Sequence, residues 1–319
     1  MKVRAMAGSD GVATVYIAEL EGGGLVEFVE SVQPPVPRDE KWVLILSTLI
    51  GCPAGCRFCD AGEEYAGKVS AEEMLAQIDF LVRRRYPEGY VPASRFKVQF
   101  ARMGEPSLND GVIEVLERLP LLYDAPGLIP ALSTIAPAGR ERFFEKLLEV
   151  KKRLYPERFQ LQFSIHTTDA ERRDWLIPPK KWSLPEIAAY GERFFDEGGR
   201  KITLNFALAE GMPVDPGVLL DHFSPGIFLV KMTPVNPTRR AGENGLSSGL
   251  DPGGAGYDVA AAVEAAGYEV LVSIGEIEEN RIGSNCGQYI GRYRGRGQAP
   301  RGSYDYEIRE IDSSAESTA

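Results

Sequence analysis

Apolar and polar positions alternate through ATVYIAEL (13–20) and LVEFVE (25–30), with Gly22, Gly23 and Gly24 between them. Alternation marks a half-buried strand, and glycines supply the backbone freedom of a tight connection. The pattern therefore predicts a β-hairpin. PPVPRDE (34–40) follows as a linker.

From Trp42 the rhythm changes. WVLILS (42–47), FKVQFARM (96–103), IPALST (129–134), RFQLQFSIH (158–166), KITLNFAL (201–208) and GIFLVKMTPV (226–235) are short and rich in apolar residues. They read as buried strands. Between them, 70–86, 109–122, 139–155, 183–198 and 214–223 carry helical periodicity. Ser70 with Glu73, and Ser183 with Glu186, have the spacing of capping boxes at two helix starts. A further helix (257–267) and strand (268–274) follow. Six strands alternating with helices predict βαβ units and a parallel α/β sheet. A closed eight-stranded barrel takes about 250 residues, so the strand count predicts an open, partial (β/α)6 TIM-like barrel with an N-terminal β-hairpin. The expected organisation is hairpin and linker over 1–40, a core over 41–290 and a disordered tail over 291–319, the last rich in Gly, Arg, Ser and acids. Arg292, Arg294, Arg296 and Arg301 in that tail suit either RNA contact or plain solvation. Sites in parallel α/β folds lie at the carboxyl ends of strands. The cysteine loop after the first core strand, Gly104-Glu105, Ser133, Ser164 and Asn236 all fall there.

Composition narrows the class. The 319 residues carry 36 Lys+Arg and 46 Asp+Glu, a net charge of −10. The balance argues against a large nucleic-acid surface and leaves room for a local basic patch. There is no apolar run of membrane-spanning length and no secretory signal at the start; the expected location is the cytosol. Three of the four cysteines, Cys52, Cys56 and Cys59, fall within eight residues, and the fourth is Cys286. That clustering points to metal chemistry rather than a disulfide scaffold. Arg239 and Arg240, in a Gly-rich stretch, suit a lid, an anion contact or a solvated loop. Arg83, Arg84 and Arg85 read as an exposed helix face.

The loop GCPAGCRFCDAG (51–62) has the spacing C-x-x-x-C-x-x-C. Three thiolates on one tight loop hold three irons of a [4Fe–4S] cluster and leave the fourth open to a small chelating ligand. The alternative is a structural zinc site with Cys286 as fourth ligand, although zinc sites usually pair their cysteines in C-x-x-C knuckles.

With Phe58 before Cys59, this loop after a first strand resembles the radical S-adenosylmethionine (SAM) superfamily over residues 42–290. The resemblance implies that SAM chelates the open iron and that one electron cleaves it to a 5′-deoxyadenosyl radical. It also implies a low-potential electron donor of flavodoxin or ferredoxin type. MGEP (103–106) resembles the superfamily's Gly-Glu-Pro segment, where a carboxylate meets the methionyl ammonium, a charge-assisted contact.

Further segments resemble one family within it, the radical SAM adenine-C2 and adenine-C8 methyltransferases of ribosomal and transfer RNA. ARMGEPSLN (101–109) is similar to that family's M-G-M-G-E-P-L-x-N, ALST (131–134) to L-S-T-S-G, and FSIH (163–166) to S-L-H. TPVNP (233–237) is similar to I-P-x-N-P, SNCGQ (284–288) to A-A-C-G-Q, and VATVYI (12–17) to V-E-T-V-x-I. By this resemblance Phe58, Gly104, Glu105, Ser133, Ser164, Ile165, His166 and Asn236 line the SAM site, and Cys286 accepts a methyl group. One SAM methylates that cysteine; the radical from a second removes hydrogen from the S-methyl group, whose carbon adds to adenine. The bland reading of Cys286 is a small buried apolar residue.

Three departures stand beside the matches. The family's resolving cysteine, seven residues before the first cluster cysteine, is Ile45 here, and the glutamate that acts as a base is Ala13. Neither side chain can do that chemistry. The chain starts at the hairpin, without the family's N-terminal helical RNA-binding region. The sequence therefore predicts methyl or one-carbon transfer through Cys286 on a substrate other than the usual rRNA adenine, with RNA not favoured as partner and no membrane. The alternatives are radical SAM chemistry without methyl transfer and a non-catalytic, metal-stabilised binding protein.

Overall fold

The computed structural model describes residues 1–311 apart from 63, 252–253, 255, 275–276, 285–288, 296–302 and 305. Its strands are β1 (Lys2–Ser9), β2 (Ala13–Glu19), β3 (Leu25–Ser31), β4 (Lys41–Leu46), β5 (Leu49–Ile50), β6 (Gly67–Lys68), β7 (Arg95–Phe100), β8 (Leu128–Thr134), β9 (Gln160–Ser164), β10 (Ile202–Leu208), β11 (Phe228–Pro234), β12 (Val270–Val272) and β13 (Arg309–Glu310). Among the described residues eleven of these join one sheet in the order β12-β11-β10-β9-β8-β7-β4-β3-β2-β1-β13. From β4 to β12 each strand runs parallel to its neighbour. The two sheet ends do not pair with each other, so the open barrel expected from the strand count is the architecture found.

Helices α1 (Ala71–Arg85), α2 (Gly111–Leu122), α3 (Glu141–Leu154), α4 (Ala170–Leu176), α5 (Leu184–Phe194), α6 (Pro216–His222), α7 (Arg239–Glu243) and α8 (Tyr257–Ala265) lie in the crossovers, and α9 (Ile277–Ile282) and α10 (Ile290–Tyr293) follow β12. Helix α1 begins where the sequence places it. Ser70 Oγ accepts from the Glu73 N–H at 3.2 Å, and Glu73 Oε2 accepts from the Ser70 N–H at 3.1 Å, closing a reciprocal cap. Strand alternation sorts the two faces. On β7, Phe96, Val98 and Phe100 are fully buried, whereas Lys97 and Gln99 between them are half-buried on the inner face. Each of those phenylalanines contributes about 2–3 kcal/mol of burial.

Some expectations are revised. Strand β1 precedes the hairpin, and β3 pairs antiparallel with β4 (Val29↔Ile45, Ser31↔Val43). The N-terminal strands therefore extend the main sheet rather than forming an appendage. Described residues of the stretch read as a disordered tail carry structure: β13 pairs with β1, and Tyr304 is buried. Arg85, read as part of an exposed face, is paired with Glu30 at 2.8 Å. Short α4 escaped notice because its sequence is mostly polar; the Asp169 side chain caps it by accepting from the Arg172 N–H at 2.9 Å.

The C-terminal segment is fastened to the inner face of β3 by a buried ion pair. The Arg102 guanidinium meets Glu27 Oε2 at 2.6 Å and donates to the carbonyls of Gly283 and Ser284 at 2.7 and 2.9 Å. Glu27 Oε1 accepts from the Ile290 N–H at 2.8 Å. Glu27→Ala leaves the buried guanidinium without its counter-charge, and denaturant unfolding is expected to show a loss of about 3–5 kcal/mol. A loss below about 1 kcal/mol, the range of an exposed pair, would contradict this account.

Candidate active site

The carboxyl ends of β7 to β11 and the loop after β5 surround one cavity of about 240 Å³. Its wall includes Cys52, Cys56, Phe58, Cys59, Gly104, Glu105, Ser133, Ser164, His166 and Asn236, brought together from five separate stretches of chain. Of the residues expected there, Ile165 is placed elsewhere: it is fully buried in the main core, with its N–H donating to the Asn205 carbonyl. Cys286 lies outside the described residues.

The cysteine loop is tightly wound and strapped from outside. The Cys59 N–H donates to the Cys56 carbonyl at 3.1 Å, and the Gly62 N–H to the Cys59 carbonyl at 3.2 Å. Thr238 Oγ1 donates to the Phe58 carbonyl at 2.7 Å. Buried Asp60, next to Cys59, accepts from the Arg240 N–H at 2.9 Å and the Tyr304 hydroxyl at 2.6 Å. The Gly-rich stretch read as a loop thus holds α7, which buttresses the cysteines. The sequence signal for Asp60 was its place inside the motif, and that for Thr238 its place two residues beyond Asn236.

The thiols occupy an apolar pocket. Cys52 and Cys56 are buried and Cys59 is half-buried. Burial pushes the Cys52 thiol up. It pushes Cys56 up to about 12, with neighbouring Cys52 and Glu105 adding to the effect. Thiolates here need a positive partner, which the irons of a cluster supply. Among the described residues no three His, Cys, Asp or Glu side chains are grouped to hold a single metal ion; a [4Fe–4S] cluster would take each thiolate on a different iron.

The Gly-Glu-Pro turn beside them is fixed by sterics and hydrogen bonds. Gly104 has φ +101°, and a Cβ there would lie 2.5 Å from the Leu49 side chain, so the position requires glycine. Glu105 is buried. Its Oε1 accepts from Ser107 Oγ at 2.7 Å and Thr134 Oγ1 at 2.5 Å, and its Oε2 from the Ile135 N–H at 2.9 Å. Burial raises its pKa, and these hydrogen bonds oppose the rise. The carboxylate thereby locks the end of β7 to the end of β8 while lining the cavity. Thr134, the second anchor, was present in ALST without being singled out.

His166, two residues beyond β9, lies in the left-handed region (φ +66°), a conformation that costs a non-glycine residue energy and concentrates at functional sites. Its Nδ1 accepts from the Ala207 N–H at 2.9 Å, so the ring proton sits on Nε2. Its edge meets the Phe58 ring at 4.8 Å between centroids. Burial, with the Arg173 guanidinium nearby, lowers its pKa to about 3, which leaves a neutral imidazole.

The cysteine loop, the Gly-Glu-Pro turn and the open parallel sheet are arranged as the resemblance to the radical SAM superfamily implies. A radical SAM methyltransferase of Sphaerobacter thermophilus superposes with a TM-score of 0.64 at 21% identity, covering 90% of this chain and 80% of that one, which bears on the fold alone. No protein-family model matches the sequence. A protein of Bordetella avium named "Probable RNA methyltransferase" is 35% identical over 208 residues, 65% of this chain and 52% of that protein. The RNA methyltransferase RlmN of Thermus thermophilus, named as probable and dual-specificity, is 31% identical over 216 residues, 66% of this chain and 56% of that protein. Over about two thirds of its length the chain is similar to these RNA methyltransferases. It spans about half the length of the curated relatives it matches.

The neutral histidine has a pH signature. Unfolded His166 takes a proton near pH 6.5, whereas the folded ring stays neutral to about 3. The unfolded chain therefore binds more protons in that window, and stability complete above pH 6.5 is lost as pH falls through it. His166→Gln, whose amide accepts without titrating, is expected to lose less stability in urea titrations between about pH 6.5 and 4.5. An unchanged pH slope would contradict the assignment.

Proposed function

We propose that the chain is a radical SAM enzyme that transfers a methyl or one-carbon group, with Cys286 as the carrier. The observation that carries this reading is the convergence of the three cysteines, the Gly-Glu-Pro turn, Ser133, Ser164, His166 and Asn236 on one cavity at the strand ends. Cys52, Cys56 and Cys59 hold the cluster. When bound, it supplies the electron that cleaves SAM to the 5′-deoxyadenosyl radical. Glu105 meets the methionyl ammonium of SAM, and the neutral His166 with Phe58 forms an uncharged wall beside it. The curated relatives are named as RNA methyltransferases, which supports both methyl transfer and RNA as the source of substrate. A flavodoxin- or ferredoxin-type donor supplies the electron.

Cys286 accepts the methyl of one SAM, releasing S-adenosylhomocysteine, and the radical from a second removes hydrogen from the S-methyl group. Both sides of residues 285–288 are held to the Glu27–Arg102 pair, and Arg102 lines the cavity. The substrate is one other than the usual rRNA adenine, because release cannot follow the family's route. Ile45 is buried in β4 between Val29 of β3 and Gln99 of β7 and brings no thiol to the cavity wall. That same position favours a second reading, radical chemistry without methyl transfer.

The two readings separate by mass. Protein reconstituted anaerobically with iron and sulfide and incubated with SAM is expected to gain one methyl on the Cys286 peptide. Cys286→Ala is expected to stop S-adenosylhomocysteine formation. An unmodified Cys286 beside continuing SAM cleavage would replace the methyl-carrier reading with the second.

A further inference from the structure

The inner face of the parallel strands mixes polar with apolar side chains, where a packed barrel interior is filled by layers of Val, Ile and Leu; Val43 of β4 and Ile129 of β8 flank Lys97 in register. Ala101, Ser133, Ser164 and Asn205 bring this face into the cavity. Followed two residues at a time toward the strand starts, it continues as Gln99 and Lys97 on β7, Gln162 and Gln160 on β9, and Thr203 on β10. At the far end Lys41 of β4 lies beside Arg95 of β7, one step below Lys97 on the same face. Arg200, just before β10, and Lys231 of β11 bring their charges to bear on Lys97 from the other side.

The Lys97 side chain is half-buried, and none of the described residues gives it a hydrogen bond or an ion pair. The charges around it are cationic, and with burial they lower its pKa to about 7. Glu279 bears on Lys41 of this group. In a chain of net charge −10, Lys41, Arg95, Arg200 and Lys231 gathered around a half-buried lysine are not a by-product of overall basicity. A multiply charged oxyanion suits several cations converging from different directions.

We propose that this end of the barrel's inner face binds a phosphate group of the substrate, with Lys97 as its central contact. The site lies on the same strands as the SAM cavity, nearer their amino ends, so a substrate held by its phosphate extends toward the cluster. The inference rests on the proposed function only in calling the ligand the substrate; the phosphate site stands on its own residues.

The test uses the full chain with inorganic pyrophosphate as the probe and a short oligoribonucleotide as a second arm. Acetylation of Lys97 by limiting reagent near pH 7.5 is read by mass spectrometry with and without pyrophosphate, against exposed Lys68 as the reference. Pyrophosphate is expected to protect Lys97. Lys97→Met, which keeps the side-chain bulk, is expected to weaken pyrophosphate binding in calorimetry about tenfold or more, whereas Lys68→Met leaves it unchanged. Because Met removes a half-buried cation, the thermal midpoint of Lys97→Met is not expected to fall. Protection by the oligonucleotide but not by pyrophosphate supports the site with a phosphodiester as its ligand. Lys97 unprotected by either, or equal pyrophosphate affinity in Lys97→Met, overturns the proposal. Cluster assembly and Cys286 methylation are read separately, so failure here leaves the proposed reaction standing and failure there leaves the phosphate site standing.

Discussion

The buried carboxylate of Glu105 is the interaction on which the site depends. Its oxygens accept hydrogen bonds from Ser107, Thr134 and Ile135, so the ends of β7 and β8 are bound through one side chain. A buried carboxyl left without those donors would be costly; with them it is a rigid corner. Gly104, which can hold no Cβ against Leu49, brings that corner against the chain that leads into the cysteine loop. Everything in the cavity wall is positioned relative to this turn.

The loop's own hydrogen bonds are joined by others from outside it. Asp60 and Phe58 are strapped by Thr238, α7 and Tyr304, which come from beyond β11 and from the C-terminal segment. The N-terminal strands join in through Glu27, whose pairing with Arg102 anchors residues 283–284 and 290. The parallel sheet supplies strand ends, and the two terminal segments close the structure around them. No helix among the described residues is long and apolar enough to cross a membrane.

The parallel core was legible in the sequence because it is built from local signals. Buried strands such as WVLILS and amphipathic helices with capping boxes declare themselves within a dozen residues. The cysteine spacing and Gly-Glu-Pro are likewise local, and they fall at strand ends in the structure. What escaped was set by distant partners. Strand β1 alternates weakly, and pairing with β2 and β13 defines it. Arg85 looked solvated until Glu30 came beside it. Arg102 stands where the resembling family's M-G-M-G-E-P has glycine, but its meaning required Glu27, 75 residues away. Lys97 read as an ordinary polar position of a strand; the cations around it come from four other places in the chain.

The central claim is that the three clustered thiols and the Gly-Glu-Pro turn form one radical SAM site. Its most direct test is the 5′-deoxyadenosine formed from SAM by anaerobically reconstituted protein under a strong reductant, compared with Cys56→Ala. The account predicts iron, sulfide and 5′-deoxyadenosine in the parent protein and the loss of all three in the variant. Stoichiometric zinc without sulfide in the parent, or 5′-deoxyadenosine formed equally by Cys56→Ala, would contradict it.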